Sequence, residues 1–491
     1  MNFNNQEETS NKMRDIIFRF LDCNVIKKIR GFFRNKFVFY ALCILNVGCV
    51  FCLILFPLHL IASLFLLANL LFIFFGDIKE KLLILFLIYP LAKVLKFPGI
   101  STSLVTILIF IFILFQAIRC FVLEKQSINE VKIIILFVFI LYCLLTFLVS
   151  MFNFQGFSLN NLLSYYLYLF LPVCCCVFIS NKNAIDGADN IIFLSTSFLI
   201  GIIFTMVIFH MIPNGSSYLK NAGVNVFNMG LYGVRYSPLC DDPNYGTASI
   251  ALISSLFFCV KKTKKQSIIG YPIILASLIF NFLSLSKMFI LCVLIILISC
   301  LLRLINYTKS IAISLILFIS TVTSLFFLLS TSFGNTLFIR FFGTKGVADF
   351  NRITSGRTKL FGEYSSYLLS KPHVLLFGKG PLFNDLNYFS SGEHNTFTKN
   401  LLGNGLFGIS AMLLFSFLML KISIRPKKVY FSNPATLAFL IILFICSMSL
   451  CISPATVFPL VLLVIEFCEF LPIYNKQING QKNDIMIEVS V

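Results

Sequence analysis

The chain has 491 residues, 58% of them hydrophobic and 12% charged, with a mean hydropathy of +0.93 and a formal net charge of +19. That combination lies outside the range of soluble globular domains and inside that of polytopic membrane proteins. The positive balance does not read as nucleic-acid binding, because the basic residues are scattered at the ends of apolar runs rather than gathered on one face.

The first segment, residues 1–36, opens as "MNFNNQEETSNKMRDIIFRF", polar and then amphipathic, without the short apolar core and small-residue cleavage site of a secretion signal. Ile16, Ile17, Phe18, Phe20, Leu21, Val25 and Ile26 interleave with Arg14, Arg19, Lys27, Lys28 and Arg30. This predicts a basic amphipathic helix lying on an anionic membrane surface.

Apolar runs then recur at about 17 to 23 residues each, the length that crosses the hydrocarbon core as a helix. They predict spans near 37–56, 58–76, 82–97, 101–118, 131–151, 162–180, 190–212, 244–260, 267–283, 288–305, 310–330, 398–420, 433–452 and 454–472. The expected fold is all-α, a polytopic membrane protein of about fourteen transmembrane helices. Spans 1–11 fall within 37–330 with an outer loop at 213–243, a large extracytoplasmic loop covers 331–397, spans 12–14 fall within 398–472, and 473–491 form a tail.

With a cytoplasmic amino terminus, the connections "DIKEK", "NKNAIDGAD", "KKTKKQS", "RLINYTKS" and "KISIRPKK" fall inside, as do both tails. The short outer turns around Pro57, "NFQGFSLNN" and "CISPA" carry no lysine or arginine, as the positive-inside rule requires. The exceptions are Lys287 and the pair Lys93 and Lys96, which fall at the outer end of a short third span interrupted by Pro90. Either that segment is not a full crossing, or those charges line a polar cavity. Of the 16 cysteines, nearly all, including Cys174, Cys175 and Cys176, sit in apolar runs, and Cys240 alone lies in a clear loop. No CxxC pair has metal spacing, so neither a zinc site nor a disulfide framework is expected.

The two long outer connections break the pattern of short turns, and long ordered loops are usually functional. In "GVRYSPLCDDPNYG", Arg235 precedes Asp241, Asp242, Pro243 and Asn244 at the mouth of a span. Asp242 and Asn244 also fit ordinary helix-start chemistry, whereas an arginine at a membrane surface pairs with phosphate through its planar fork. In "NFLSLSKMF", Ser284, Ser286 and Lys287 interrupt an apolar stretch between two spans; taken alone they read first as an ordinary polar turn with a snorkelling lysine and second as a ligand site.

In the large loop, the spacing of Leu360, Phe361, Tyr364, Leu368 and Leu369 predicts a helix from near Ser355, ended by Lys371 and Pro372. Arg357 then sits in its first turn, where a cation opposes the helix dipole and so hints at an anionic partner. A turn at "GKGPL" and an irregular segment follow, then "GEHNTF". Gly403, Gly405 and Gly408 match GxGxxG, but a span follows and no strand precedes, so they read as glycines that allow close helix packing. His394 lies at the membrane surface between Glu393 and Asn395 and is the candidate general base, since a neutral imidazole accepts a hydroxyl proton. His59 and His210 fall at apolar span ends, and His373, after Pro372, is the second choice.

Taken together, "RYSPLCDDPNYG", "SLSK", "SGRTKLFGEYSSYLLSKPHVLLFGKGPLF" and "EHNTFTKNLLGNGLFG" resemble the signature of the O-antigen polymerase and ligase superfamily, over about Arg235 to Gly408. The resemblance implies a GT-C-like, metal-independent glycosyltransferase without cofactors, at the outer face of the bacterial plasma membrane, multi-pass with both termini cytoplasmic. It implies as substrates an undecaprenyl-pyrophosphate-linked glycan donor and a lipid-linked or other terminal acceptor, and as partners membrane lipids, a chain-length regulator and a flippase, with no nucleic acid. It implies that Arg235 and Arg357 bind the donor pyrophosphate and that His394 is the catalytic base, with Lys287, Ser286, Asp242, Asn244 and Asn395 in support. Lys287 stands where family members commonly have arginine. Polymerase and ligase share the donor and differ in acceptor; the estimate of about fourteen helices favours the polymerase of O-antigen, capsule or exopolysaccharide. A flippase of lipid-linked oligosaccharide is the alternative of another class, but it would be expected to show paired repeats and charges within the helices, whereas this chain shows no internal repeat, few mid-span charges and one outsized outer loop.

Overall fold

The computed structural model describes residues 24–92, 94–97, 103–120, 130–152, 159–179, 187–224, 226–228, 234–238, 243–308, 357–381, 396–424 and 434–449, with positions 319, 331, 339 and 389. The predicted span at 310–330, apart from Ile319, the span at 454–472 and the tail at 473–491 lie outside the described residues.

The chain is an all-α membrane protein. Helix α1 (Asn24–Phe33) is the described part of the amphipathic segment. It buries Ile26 and stacks Phe33 on Phe75 at 6.0 Å between ring centroids, while Val25 and Phe32 stay exposed. Asn35 caps α2 (Lys36–Leu55) by accepting from the Phe37 N–H, and α3 (His59–Phe75) packs back against α2. Their apolar interface carries one polar feature: Asn46 and Asn69, both 1% exposed, exchange two amide hydrogen bonds of 3.0 and 2.8 Å. In hydrocarbon an amide without a partner is costly, so the pair fixes the register of α2 on α3.

Helix α4 (Ile78–Ile88) continues as a 3-10 turn (Tyr89–Leu91), and its residues from Lys81 to Ile88 are all buried. A helix apolar all round belongs in a core, and here α4 packs against α8, with the Ser197 hydroxyl donating to the Leu87 carbonyl at 2.6 Å. The helical part rises only about 22 Å, less than the ~30 Å hydrocarbon core. The third predicted span, 82–97, is thus helical only as far as Leu91 and reverses beyond it. Pro90 forces the 3-10 turn, the Ser103 hydroxyl donates to the Ala92 carbonyl at 2.8 Å, and the Leu104 N–H donates to the Leu95 carbonyl, turning the chain back into α5 (Leu104–Ile118). Lys96, half-buried, sits at this reversal.

Helices α6 (Glu130–Phe152), α7 (Leu159–Phe178) and α8 (Gly187–Met211) follow, then short α9 (Gly215–Asn221) and a two-residue antiparallel ladder of β1 (Phe227–Asn228) and β2 (Val234–Arg235) that pairs Phe227 with Arg235. Next come α10 (Pro243–Cys259), α11 (Lys264–Asn281) with a 3-10 turn at Phe282–Ser284, and α12 (Lys287–Thr308). Outside the bundle core lie α13 (Arg357–Ser370) and α14 (Pro372–Phe377); α15 (Thr396–Ile424) and α16 (Pro434–Ser449) complete the described helices. By length and composition α2, α6, α8 and Lys264–Ser284 are each sufficient to cross a bilayer, and α3, α5, α12 and α16 are shorter apolar helices. Helices α8 and α10 are central: α8 touches α4, α10 and α11, and α10 touches α12 and α16. The observed helices follow the predicted spans closely at their ends, apart from the third.

Contacts between helix ends sort the connections into two sets. At one end, Arg34 pairs with Asp77 (3.0 Å), Lys79 with Asp189 (2.8 Å), and Gln266 donates to Asp189 (3.0 Å). Gln266 is also half of a capping box with Thr263 that starts α11. Buried Lys81 joins this set, its ammonium 4.7 Å from the Phe115 ring centroid near the end of α5. Lys132, at the start of α6, donates to the Val177 carbonyl at the end of α7, just before α8 begins beside Lys79. The starts of α2, α4, α6, α8 and α11 thus share this Asp77 end. The turns after α6, α8 and α11 share the other, which carries Arg235. This alternation matches the loop assignment read from the sequence.

Candidate functional site

At the Arg235 end, the extended segment 234–238 runs between α8 and the α11–α12 turn. On the α8 side, the Thr205 hydroxyl donates to the Ser237 carbonyl at 2.8 Å, and His210 is hydrogen-bonded to the Tyr236 hydroxyl. Gly201 lets the two backbones meet, since a Cβ there would lie 3.0 Å from the Pro238 carbonyl. On the other side, the Tyr236 N–H donates to the Leu283 carbonyl at 3.3 Å. Because side chains alternate along an extended chain, Tyr236 and Arg235 face opposite flanks.

Arg235 is 8% exposed. Its Nε donates to the Ser284 carbonyl at 2.8 Å and its Nη2 to Asn244 Oδ1 at 3.1 Å. The fork of one guanidinium therefore joins the segment before α10, the first turn of α10 and the turn before α12. Two short motifs about forty residues apart in sequence, "RYSPLCDDPNYG" and "SLSK", meet at one side chain. The turn that supplies Ser284 is strained: Leu285 has φ 51 and ψ 33, the left-handed region that a bulky residue enters at a cost of roughly 1–2 kcal/mol. The bend puts the Ser284 carbonyl under Arg235 and lets Ser286 open α12, its carbonyl accepting from the Ile290 N–H at 3.2 Å. Ser286 is 1% exposed, and its Oγ has no hydrogen-bond partner among the described residues; the same holds for Asn281 Oδ1 in the preceding turn. Lys287, half-buried, is the first residue of α12. Two helix starts, α10 and α12, thus flank a buried arginine, and helix starts favour anions. Burial also pushes the Tyr236 phenol above its usual range, so its hydroxyl stays protonated.

The second assembly at this end is built from α13, α14 and the start of α15. Leu360, Tyr364, Leu368, Val374 and Leu402 form its small core, with Phe389 stacked on Tyr364 at 3.8 Å. Helix α13 begins at Arg357 and ends before Lys371, which is extended so that Pro372 can start α14, as the residue before a proline favours. Helix α15 is broken at Gly405 (φ 62, ψ −177). The Lys379 and Gly380 N–H groups, in the turn after α14, donate to the Leu402 and Gly403 carbonyls at 2.7 Å each. Gly380 also lies against Ser150 near the end of α6, which places this assembly at the Arg235 end. Beneath it, Tyr142 is hydrogen-bonded to Tyr165 (2.7 Å) and Thr146 to Tyr166 (2.6 Å), while Asn404, 4% exposed, donates weakly to Asn400.

Of the residues singled out from sequence, Arg235 and Asn244 are in direct contact, Ser284 joins them through its carbonyl, and Ser286 and Lys287 occupy the adjoining turn. Arg357 opens α13, and its side chain lies outside the described residues. Asp242, His394 and Asn395 also lie outside them. His373 is exposed on α14 and His59 opens α3. His210 and Tyr236 were not singled out as a pair; the signal available was a histidine closing an apolar run and a tyrosine beside the chosen arginine. The glycine break in α15 goes further than the close packing expected from "GNGLFG".

No protein-family model matches the chain, and no curated protein matches it by sequence. Fold and site together define an α-helical membrane protein whose Arg235 end gathers a buried arginine, two helix starts and a helical unit docked on a broken helix.

Proposed function

We propose that the protein is a membrane glycosyltransferase of the polysaccharide-polymerase kind, using an undecaprenyl-pyrophosphate-linked glycan at the outer face of a bacterial plasma membrane. The observation that carries the reading is the meeting of Arg235 and Asn244 with Ser284, since these come from two of the separate motifs on which the resemblance rests. A guanidinium held in a fixed orientation beside helix starts suits a leaving pyrophosphate. In the proposed reaction the acceptor hydroxyl oxygen bonds to the donor's anomeric carbon while that carbon's bond to the pyrophosphate oxygen breaks. The electron pair leaves with undecaprenyl pyrophosphate, stabilised by Arg235 and Arg357. The hydroxyl proton passes to His394, a step that contributes typically 10² to 10⁴-fold. Polymerase is preferred over ligase on the sequence-derived estimate of about fourteen helices.

The test is a gene deletion restored with wild type or with His394→Ala, reading surface glycans on a gel beside the lipid-linked pool. Collapse to single repeat units on their final carrier supports a polymerase. Long chains stranded on undecaprenyl pyrophosphate indicate a ligase, and single units trapped at the cytoplasmic face indicate a transporter. Long-chain polymer made by His394→Ala at normal protein level refutes the general-base role.

A further inference from the structure

Gly378 (φ 78) and Gly380 (φ 100), in the turn after α14, face Gly403 and Gly405 (φ 62) in α15. The contact is backbone on backbone. A Cβ on Gly378 would lie 2.4 Å from the Gly403 carbonyl oxygen, and one on Gly405 would lie 2.3 Å from that of Leu376. Neither neighbour can move aside as a side-chain tip could. Gly378 (ψ −171) and Gly405 (ψ −177) also occupy a conformation essentially reserved for glycine.

The hydrogen bonds explain why the two parts need each other. In an unbroken helix the Leu402 and Gly403 carbonyls would accept from the N–H groups of residues 406 and 407. The break at Gly405 removes those donors, and Lys379 and Gly380 replace them. At the membrane boundary an unsatisfied carbonyl is costly, so the break and the turn are stable only together. We infer that this interlocked junction is a positioning device for transfer. It fixes α13, whose first residue is Arg357, and the first part of α15, which begins two residues after His394, to the bundle at the Arg235 end. Gly378 and Gly405 are its positioning residues. What is positioned rests on the glycosyltransferase reading, whereas the junction rests on backbone geometry alone.

The experiment measures amide hydrogen exchange and transfer kinetics on the full-length protein in lipid nanodiscs, with lipid-linked repeat units as substrate. Gly405→Ala and Gly378→Ala are expected to speed exchange at the Lys379 and Gly380 amides at least ~10-fold, with α8 and α10 unchanged. They should lower kcat roughly 10 to 100-fold with KM within about threefold, the pattern of lost placement rather than lost binding. Gly362→Ala, on α13 with open space around it, should change neither reading. If the severe variants fail to reach the membrane, Gly403→Ala carries the same test at reduced size, its nearest contacts being 3.2 and 3.3 Å. Unchanged exchange at both amides overturns the junction, and faster exchange with unchanged kcat overturns its positioning role. A wild type that transfers no glycan instead overturns the proposed function, and the exchange result then still decides the junction.

Discussion

Arg235→Lys keeps the charge and removes the fork. In the wild type, Nε reaches the Ser284 carbonyl at 2.8 Å while Nη2 reaches Asn244 at 3.1 Å. A single ammonium on a flexible stem does not hold both acceptors and still present a planar face to a phosphate. A hydrogen bond from a charged donor contributes about 1.5–3 kcal/mol. If one such contact to the leaving pyrophosphate is lost, and each 1.36 kcal/mol is tenfold, transfer falls roughly 10 to 150-fold. Arg235→Ala removes the charge as well and should cost roughly 10² to 10³-fold, the 2.7–4 kcal/mol typical of losing one donor to a developing negative charge. The assay follows polymer ladder formation from lipid-linked repeat units by purified protein in nanodiscs, with thermal unfolding recorded in parallel. Transfer by Arg235→Lys within twofold of wild type, on protein of wild-type stability, refutes the reasoning.

Other expectations concern the parts that hold this site and the rest of the bundle. Asn46→Leu strands the buried Asn69 amide and should lower stability, and adding Asn69→Leu should restore most of it; a double-mutant cycle by thermal unfolding should give a coupling of about 0.6–1.7 kcal/mol. Tyr236→Phe releases His210 and one flank of the 234–238 segment, and should slow transfer about threefold to tenfold without altering the unfolding temperature, a ten-fold loss corresponding to roughly 1.4 kcal/mol. Equal transfer rates would remove Tyr236 from the support of Arg235. At the Asp77 end, burial and then Asp77 raise the Glu80 carboxyl above its ordinary value. The folded protein therefore holds that proton more readily than the unfolded chain, and the contribution is lost as pH rises through the raised value. Wild type should gain stability relative to Glu80→Gln as pH falls from neutral toward the ordinary glutamate range, and identical melting profiles on that descent would count against it.

The helices were the most legible part of the sequence, because an apolar run of spanning length has few alternatives in hydrocarbon. The third predicted span shows the limit of that rule. Leu82 to Ile88 are apolar because α4 is buried by protein on all sides, not because it faces lipid, and hydropathy gives the same signal for both. The sorting of loops was legible because it depends on charge, and the pairs at Asp77 and Asp189 agree with it. The site was legible as motifs but not as geometry: nothing local says that the Arg235 fork ends on a Ser284 carbonyl, a backbone atom common to every residue type. Leu285 in the left-handed region was invisible, since leucine carries no signal for it. The glycines of "GKG" and "GNG" stood out singly, but the complementarity between them exists only when the two turns are brought together.

Both assemblies at the Arg235 end are built from interruptions of regular backbone: an extended segment, a left-handed turn at Leu285 and a broken helix at Gly405. An interruption near hydrocarbon persists only if other groups take over its hydrogen bonds. Here the Leu283 and Ser284 carbonyls receive the Tyr236 N–H and Arg235, and the Leu402 and Gly403 carbonyls receive Lys379 and Gly380. Such partners set the geometry before any substrate arrives, which is the condition for fixed dipoles and cations to act on a developing charge without reorganising. Substitutions that disturb these backbones and substitutions that remove charged side chains therefore act through different steps. The former should lower kcat through placement with KM near wild type, whereas the latter should lower kcat and raise the KM for the donor together, so the two assemblies are separable by KM even though they share one end of the bundle.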